Sequence, residues 1–166
     1  MNKFLKIISY ILSLVRYVVW FVGLLLLVGV AGIFFGGQRS HGNFIFDYGN
    51  IIIKVPIIFP LLILFMTIAI CFITIKLLKI WSILLLYFSN NIYFNTKNLK
   101  YIKNSFLFLL SLTIFQLLIN LIINYLNTTN VSGLFDFSIK NYLVNVLFLI
   151  LNYLLIIIFK KGEHIQ

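Results

Sequence analysis

The side chains able to move protons, attack carbonyls or hold metals are few. The chain has three acidic residues, Asp47, Asp136 and Glu163, two histidines, His41 and His164, and one cysteine, Cys71. Paired carboxylates, a nucleophile–base set and a glycine-rich phosphate loop are all missing. His41 and Asp47 could hold a cation only weakly, on a glycine-rich segment. His164 reads as a solvated tail residue. Cys71 has no partner for a disulfide. It lies in an apolar run and reads as a small packing residue, because such surroundings disfavour the thiolate. The inventory predicts no enzyme, no cofactor and no metal.

The elements that would carry any site are membrane elements. Of 166 residues, 63% are hydrophobic and 10% are charged. A soluble domain is about 45–50% apolar and about 25% charged, and a fold this small must present a large polar exterior. Disordered chains are poor in the aliphatic and aromatic residues abundant here. An integral membrane protein remains. Four stretches are long enough for a bilayer-spanning helix, which needs about 20 apolar residues. They are about 17–35, 55–75, 105–126 and 142–159. Runs such as Leu24-Leu25-Leu26-Leu27 lack the period-two alternation of a membrane β-barrel. The expected fold is an all-α, four-helix transmembrane bundle forming a single membrane domain. Lys3 and Lys6 precede an apolar region as in a signal peptide, but Arg16 interrupts it and a retained first helix is expected.

The net charge of +10 is placed between the apolar runs. Lys3, Lys6, Arg16, Lys76, Lys79, Lys97, Lys100, Lys103, Lys160 and Lys161 fall on one side, and Arg39, Lys54 and Lys140 on the other. Basic residues stay inside, so both termini are expected in the cytoplasm. Direct nucleic-acid binding is not expected, since the charges are dispersed and hug the bilayer. Gly36, Gly37, Gly42 and Gly49 suggest a flexible first outer loop over 36–54. The second, over 127–141, is rich in turn formers. Pro56 and Pro60 suit the first turns of span two.

Residues 76–104 form the expected cytoplasmic interfacial segment. Its apolar part, with Trp81 and Tyr87, either continues helix two beyond the bilayer or bends to lie along it. Ser89-Asn90-Asn91 should end that helix, because Asn91 tolerates the left-handed conformation such a break uses. Asn95 should cap the next. Lys97, Lys100 and Lys103 follow on its first turns. Positive charge there opposes the helix dipole. These lysines therefore read as contacts with anionic lipid or with a soluble partner.

The stretch 91–103 resembles the signature of a bacterial four-helix membrane family, catalogued as domain-of-unknown-function family 2975. Phe94, Asn98, Leu99, Lys100 and Ile102 match its pattern. Asn91 stands for the usual glycine and Asn95 for the usual Ser or Thr. Acidic residues common in that stretch are absent. Gly162 and Glu163, after Lys160 and Lys161, are similar to the family's closing motif. The resemblance implies a four-helix bundle of a bacterial cytoplasmic (inner) membrane, without established enzymatic activity. It also implies a regulatory or sensing partnership with a small helix-turn-helix, DNA-binding regulator.

Within the spans, Gln116, Asn120 and Asn124 recur every four residues and share one face of helix three, with Thr113 extending the stripe. Asn145 and Asn152 share a face of helix four. Depth matching pairs Asn145 with Asn120 or Asn124, and Asn152 with Gln116 or Thr113. Interhelical hydrogen bonding is the simple reading and a polar cleft the alternative. Gly29, Gly32 and Gly36 offer close helix approach, within the bundle or between two copies. Two other functions stay open: an immunity or envelope-stress protein against membrane-active peptides, and a small transporter or channel subunit. The latter usually needs an intramembrane charge.

Overall fold

A computed structural model describes residues 3–35, 39–40, 43–48, 51–127 and 140–163. Four helices dominate: α1 (Lys3–Phe35), α2 (Ile58–Ser89), α3 (Thr96–Asn127) and α4 (Lys140–Glu163). All four are long and apolar enough to cross a membrane. Their surface carries large hydrophobic side chains such as Phe21, Val28, Leu121 and Leu147. That is the inverse of a soluble fold and suits a lipid solvent. Each helix packs on its neighbour in the chain, α1 on α2, α2 on α3 and α3 on α4. Among the described residues, α1 and α4, at the ends of that series, make no comparable interface.

Helices α1, α2 and α3 outrun the bilayer. At 1.5 Å per residue, the 33 residues of α1 extend about 50 Å, against a hydrocarbon core of about 30 Å. Its helix begins at Lys3 and runs straight past Arg16, so the first expected span is only its apolar part. α2 is likewise continuous to Ser89, which makes residues 76–89 an extension of span two. The expected start of that span at Val55 is corrected, because Val55 belongs to a strand and α2 starts at Ile58. Pro60 is buried in the first turn, where a missing N–H costs no helical bond.

Between α1 and α2 the described residues of the expected 36–54 loop are strand, while Gly36, Gly37, Gly42 and Gly49 lie outside the described part. Strands β1 (Arg39–Ser40), β2 (Asn43–Tyr48) and β3 (Ile51–Pro56) form an antiparallel sheet in that order. Phe44 pairs with Val55 and Tyr48 with Ile51. β3 runs almost directly into α2, and Val55 is buried. Of the second expected outer loop, 127–141, residues 128–139 lie outside the described part, and Asn127, Lys140 and Asn141 belong to α3 and α4.

α1 and α2 are pinned by three serines. Ser9 Oγ donates to the Ser82 carbonyl at 2.8 Å, and Ser82 Oγ donates to the Ser9 carbonyl at 3.1 Å. Ser9 Oγ and Ser13 Oγ lie 2.8 and 3.0 Å from Ser82 Oγ. Ser82 is the hub, touched by two residues one turn apart on α1. Farther along the pair, Trp20 meets Phe72 edge-on and Gly23 lies against Cys71. Ser82→Ala removes the hub hydroxyl. It should lower stability by about 1–2 kcal/mol, at roughly 0.6 kcal/mol per interhelical bond in a membrane. Ser13→Ala should cost less than half of that. Reversible unfolding of the purified protein in a sodium dodecyl sulfate titration would measure both.

Candidate functional site at the basic end of the bundle

The N-termini of α1 and α3 and the C-termini of α2 and α4 meet at one end. A small core of Ile80, Leu84, Leu99, Ile102 and Phe159 joins α2, α3 and α4 there. The link from α2 to α3 is locally determined. Asn91 takes φ 61°. Its N–H donates to the Phe88 carbonyl, and the N–H of Ile92 reaches back to Tyr87. This is a Schellman helix stop with asparagine in the position glycine usually takes. Asn95 Oδ1 then accepts from the Lys97 N–H at 3.0 Å, capping α3.

Asn98 locks the link in place. Its side chain is fully buried, and Nδ2 donates to the carbonyls of Ile92 at 2.9 Å and Tyr93 at 2.8 Å. Two acceptors fix which end of the amide faces the link. The link in turn rests on α4. The Phe94 and Phe159 ring centroids lie 5.4 Å apart, and Phe88 stands 5.7 Å from Phe159. The Phe94 ring covers Gly162 so closely that a Cβ there would come within 2.2–2.8 Å of three ring carbons. Phe94, Asn98, Leu99, Ile102 and Gly162 thus form one joint, with Leu99 and Ile102 in its core. Glu163 closes α4, but its side chain lies outside the described part.

Lys97, Lys100 and Lys103 stand exposed beside this joint, three residues apart on α3. Lys160 and Lys161 are exposed on the last turn of α4. The joint therefore holds five cations in fixed places around a short link whose Ile92, Tyr93 and Phe94 side chains are also exposed. Such a surface can bind anionic groups, with apolar contacts at its centre. Among the described residues it contains no nucleophile–base arrangement. Among the described residues no group of three His, Cys, Asp or Glu could hold a metal. His41, Asp136 and His164, and the side chain of Asp47, lie outside the described part.

The polar residues of the spans divide. Asn145 Nδ2 donates to Gln116 Oε1. The depth register is therefore corrected: α4 sits one to two turns along α3 from the expected match to Asn120 or Asn124. Asn120 is half-buried and Asn124 exposed. Asn152 is buried, and Phe106 meets Tyr153 beside it, which sets Asn152 level with Leu109 rather than with Gln116 or Thr113. Thr113 Oγ1 donates to the Leu109 carbonyl within its own helix. Of the three glycines expected to give close helix approach, a Cβ on Gly29 would meet Leu64 at 3.9 Å, one on Gly32 would meet open space, and Gly36 lies outside the described part.

Sequence reasoning missed the serine pin and the role of Phe159. Ser9 and Ser13 do carry a signal, as small polar residues four apart on one helix face.

Gly162→Ala should push the Phe94 ring off Phe159 and lower the midpoint of thermal unfolding in detergent. In a Phe94→Ala background the same change should be nearly neutral, giving a coupling of about 1–3 kcal/mol. Asn98→Ala should cost about 1–3 kcal/mol for two lost hydrogen bonds and speed protease cleavage at 90–95. No protein-family model, curated protein or solved structure matches the chain.

Proposed function

We propose that this is a non-enzymatic protein of a bacterial cytoplasmic membrane, with both termini inside, whose basic end holds a small soluble partner. One observation carries the reading. The helix stop at Asn91, the cap at Asn95, the Asn98 clamp and the Phe94–Gly162 contact immobilise a stretch that a mere connection could leave loose. What they hold in place is a set of exposed lysines and aromatics. Lipid attraction needs only charge near the surface, whereas recognition of a folded partner benefits from fixed geometry. The partner it suits presents carboxylates around an apolar patch. The resemblance to the four-helix family supports identifying it with a helix-turn-helix regulator, so that the membrane protein senses or anchors while the partner acts on DNA.

The distribution of basic residues, ten at this end against three at the other, supports the orientation. A fluorescent protein fused after residue 166 should glow, and alkaline phosphatase fused there should be inactive. Phosphatase fused after residue 40 should be active. The reverse pattern would refute the topology. For the partner, the chain carrying Lys97→Glu, Lys100→Glu and Lys103→Glu should recover at least tenfold less of a regulator encoded by the neighbouring gene. The wild-type complex should weaken as salt rises. Equal recovery by both chains would refute the partner reading and leave the topology standing.

A further inference from the structure

One face of α2 changes character along its length. Phe65, Phe72, Lys76 and Lys79 recur at helical spacing and share that face. All four are exposed. The face is not the one that packs on α3 and α4 through Ile80 and Leu84. It borders α1, because Phe72 meets the Trp20 ring edge-on with centroids 6.2 Å apart.

The two helices run antiparallel. Four residues back from Trp20 on α1 and four on from Phe72 on α2 are therefore the same step, about 6 Å toward the basic end. That step leads to Arg16 and Lys76. The pair stands side by side in the furrow between α1 and α2, directly beyond the Trp20–Phe72 contact. Ser9 and Ser82 keep the same register farther on. Arg16 is half-buried, and its guanidinium leans on the Tyr17 ring, 5.4 Å from the centre.

Neither helix supplies a counter-charge, since α1 and α2 contain no acidic residue. The acids of the chain are Asp47, Asp136 and Glu163, all outside these two helices. Neighbouring cations repel, and an anion set between them turns that repulsion into attraction. Arg16 and Lys76 are also the first charges met along α1 and α2 from their apolar ends, because 17–35 and 58–75 carry none. On this face they mark where hydrocarbon gives way to headgroups.

We propose that this furrow binds one anionic phospholipid of the leaflet at the basic end. Arg16 takes the phosphate through paired N–H donors, and Lys76 adds a point charge beside it. Lys79 stands on the headgroup side. The acyl chains run the other way, over Trp20, Phe72 and Phe65, into the bilayer. Basic pockets between membrane helices hold anionic headgroups in this manner. The aromatic belt beyond the cations favours a lipid over free phosphate, which has nothing to set against the rings. The inference does not rest on the soluble partner.

The chain has two tryptophans, so Trp81→Phe leaves Trp20 as a reporter at the site. This variant is placed in phosphatidylcholine vesicles that carry equal mole fractions of phosphatidylglycerol or phosphatidylcholine brominated near the top of the acyl chain. Quenching of Trp20 should favour phosphatidylglycerol at least about fivefold, the factor that one cation near anionic lipid supplies. Arg16→Gln and Lys76→Gln should each lower that preference, and Arg16→Lys should keep more of it than Arg16→Gln. Lys97→Gln, Lys100→Gln and Lys103→Gln together, on α3, should leave it unchanged. Lys76 is exposed, so its variant decides alone if Arg16→Gln alters quenching by brominated phosphatidylcholine. Equal quenching of Trp20 by both lipids would overturn the proposal. So would a preference that survives Arg16→Gln and Lys76→Gln together. A loss as large from the three α3 changes would overturn it in favour of diffuse attraction by the whole basic end.

Discussion

Hydrocarbon offers no hydrogen bonds, and the architecture follows from that single fact. Each backbone amide in the spans must be satisfied within its own helix, which leaves four long helices and little choice of anything else. The same constraint governs side chains. Thr67, Thr74 and Thr113 turn their hydroxyls back to carbonyls four residues earlier. Asn145 and Gln116 satisfy each other across α3 and α4. Ser9, Ser13 and Ser82 do so across α1 and α2. The hydrophobic effect cannot drive helices together when the solvent is itself apolar, so these polar contacts and close packing hold the bundle.

The constraint relaxes where the helices leave the bilayer, and there the chain turns irregular. Between Asn90 and Asn95 the backbone is no longer helical, yet its carbonyls are still collected, by Asn98 at positions 92 and 93. The aromatic rings of Phe88, Tyr93, Phe94 and Phe159 then pack against one another. A buried amide fixes direction, and rings fill the remaining space. The basic end therefore combines the most specific local structure of the molecule with its highest density of charge.

How much of this the sequence announces depends on the range of the interaction. Asn91 and Asn95 are legible because a left-handed stop and a helix cap are decided within a few residues. The spans are legible because apolar length has one meaning in a membrane. The true extent of α1 is less so: Lys6 and Arg16 mark where lipid ends, and a charge that leaves lipid does not end a helix. The hairpin hid behind its glycines, although Phe44-Ile45-Phe46 and Ile51-Ile52-Ile53 flank Gly49-Asn50 as strands flank a tight turn. The pairing of Asn145 with Gln116 was beyond reach, since Asn145 is five residues into α4 and Gln116 eleven from the end of α3. Only side-chain packing along the interface sets that offset.

The contact between Phe94 and Gly162 joins residues 68 apart in the chain, with α3 and nearly all of α4 between them. The serines close α1 and α2 in the same manner, 73 residues apart. Both closures sit at the basic end, as do the fully buried Leu84, Ile102 and Asn98. In mechanical terms the helices are struts clamped to one plate. Their far ends have the longer lever arm, so a small tilt of the β-hairpin reaches the clamped plate as torque rather than as displacement.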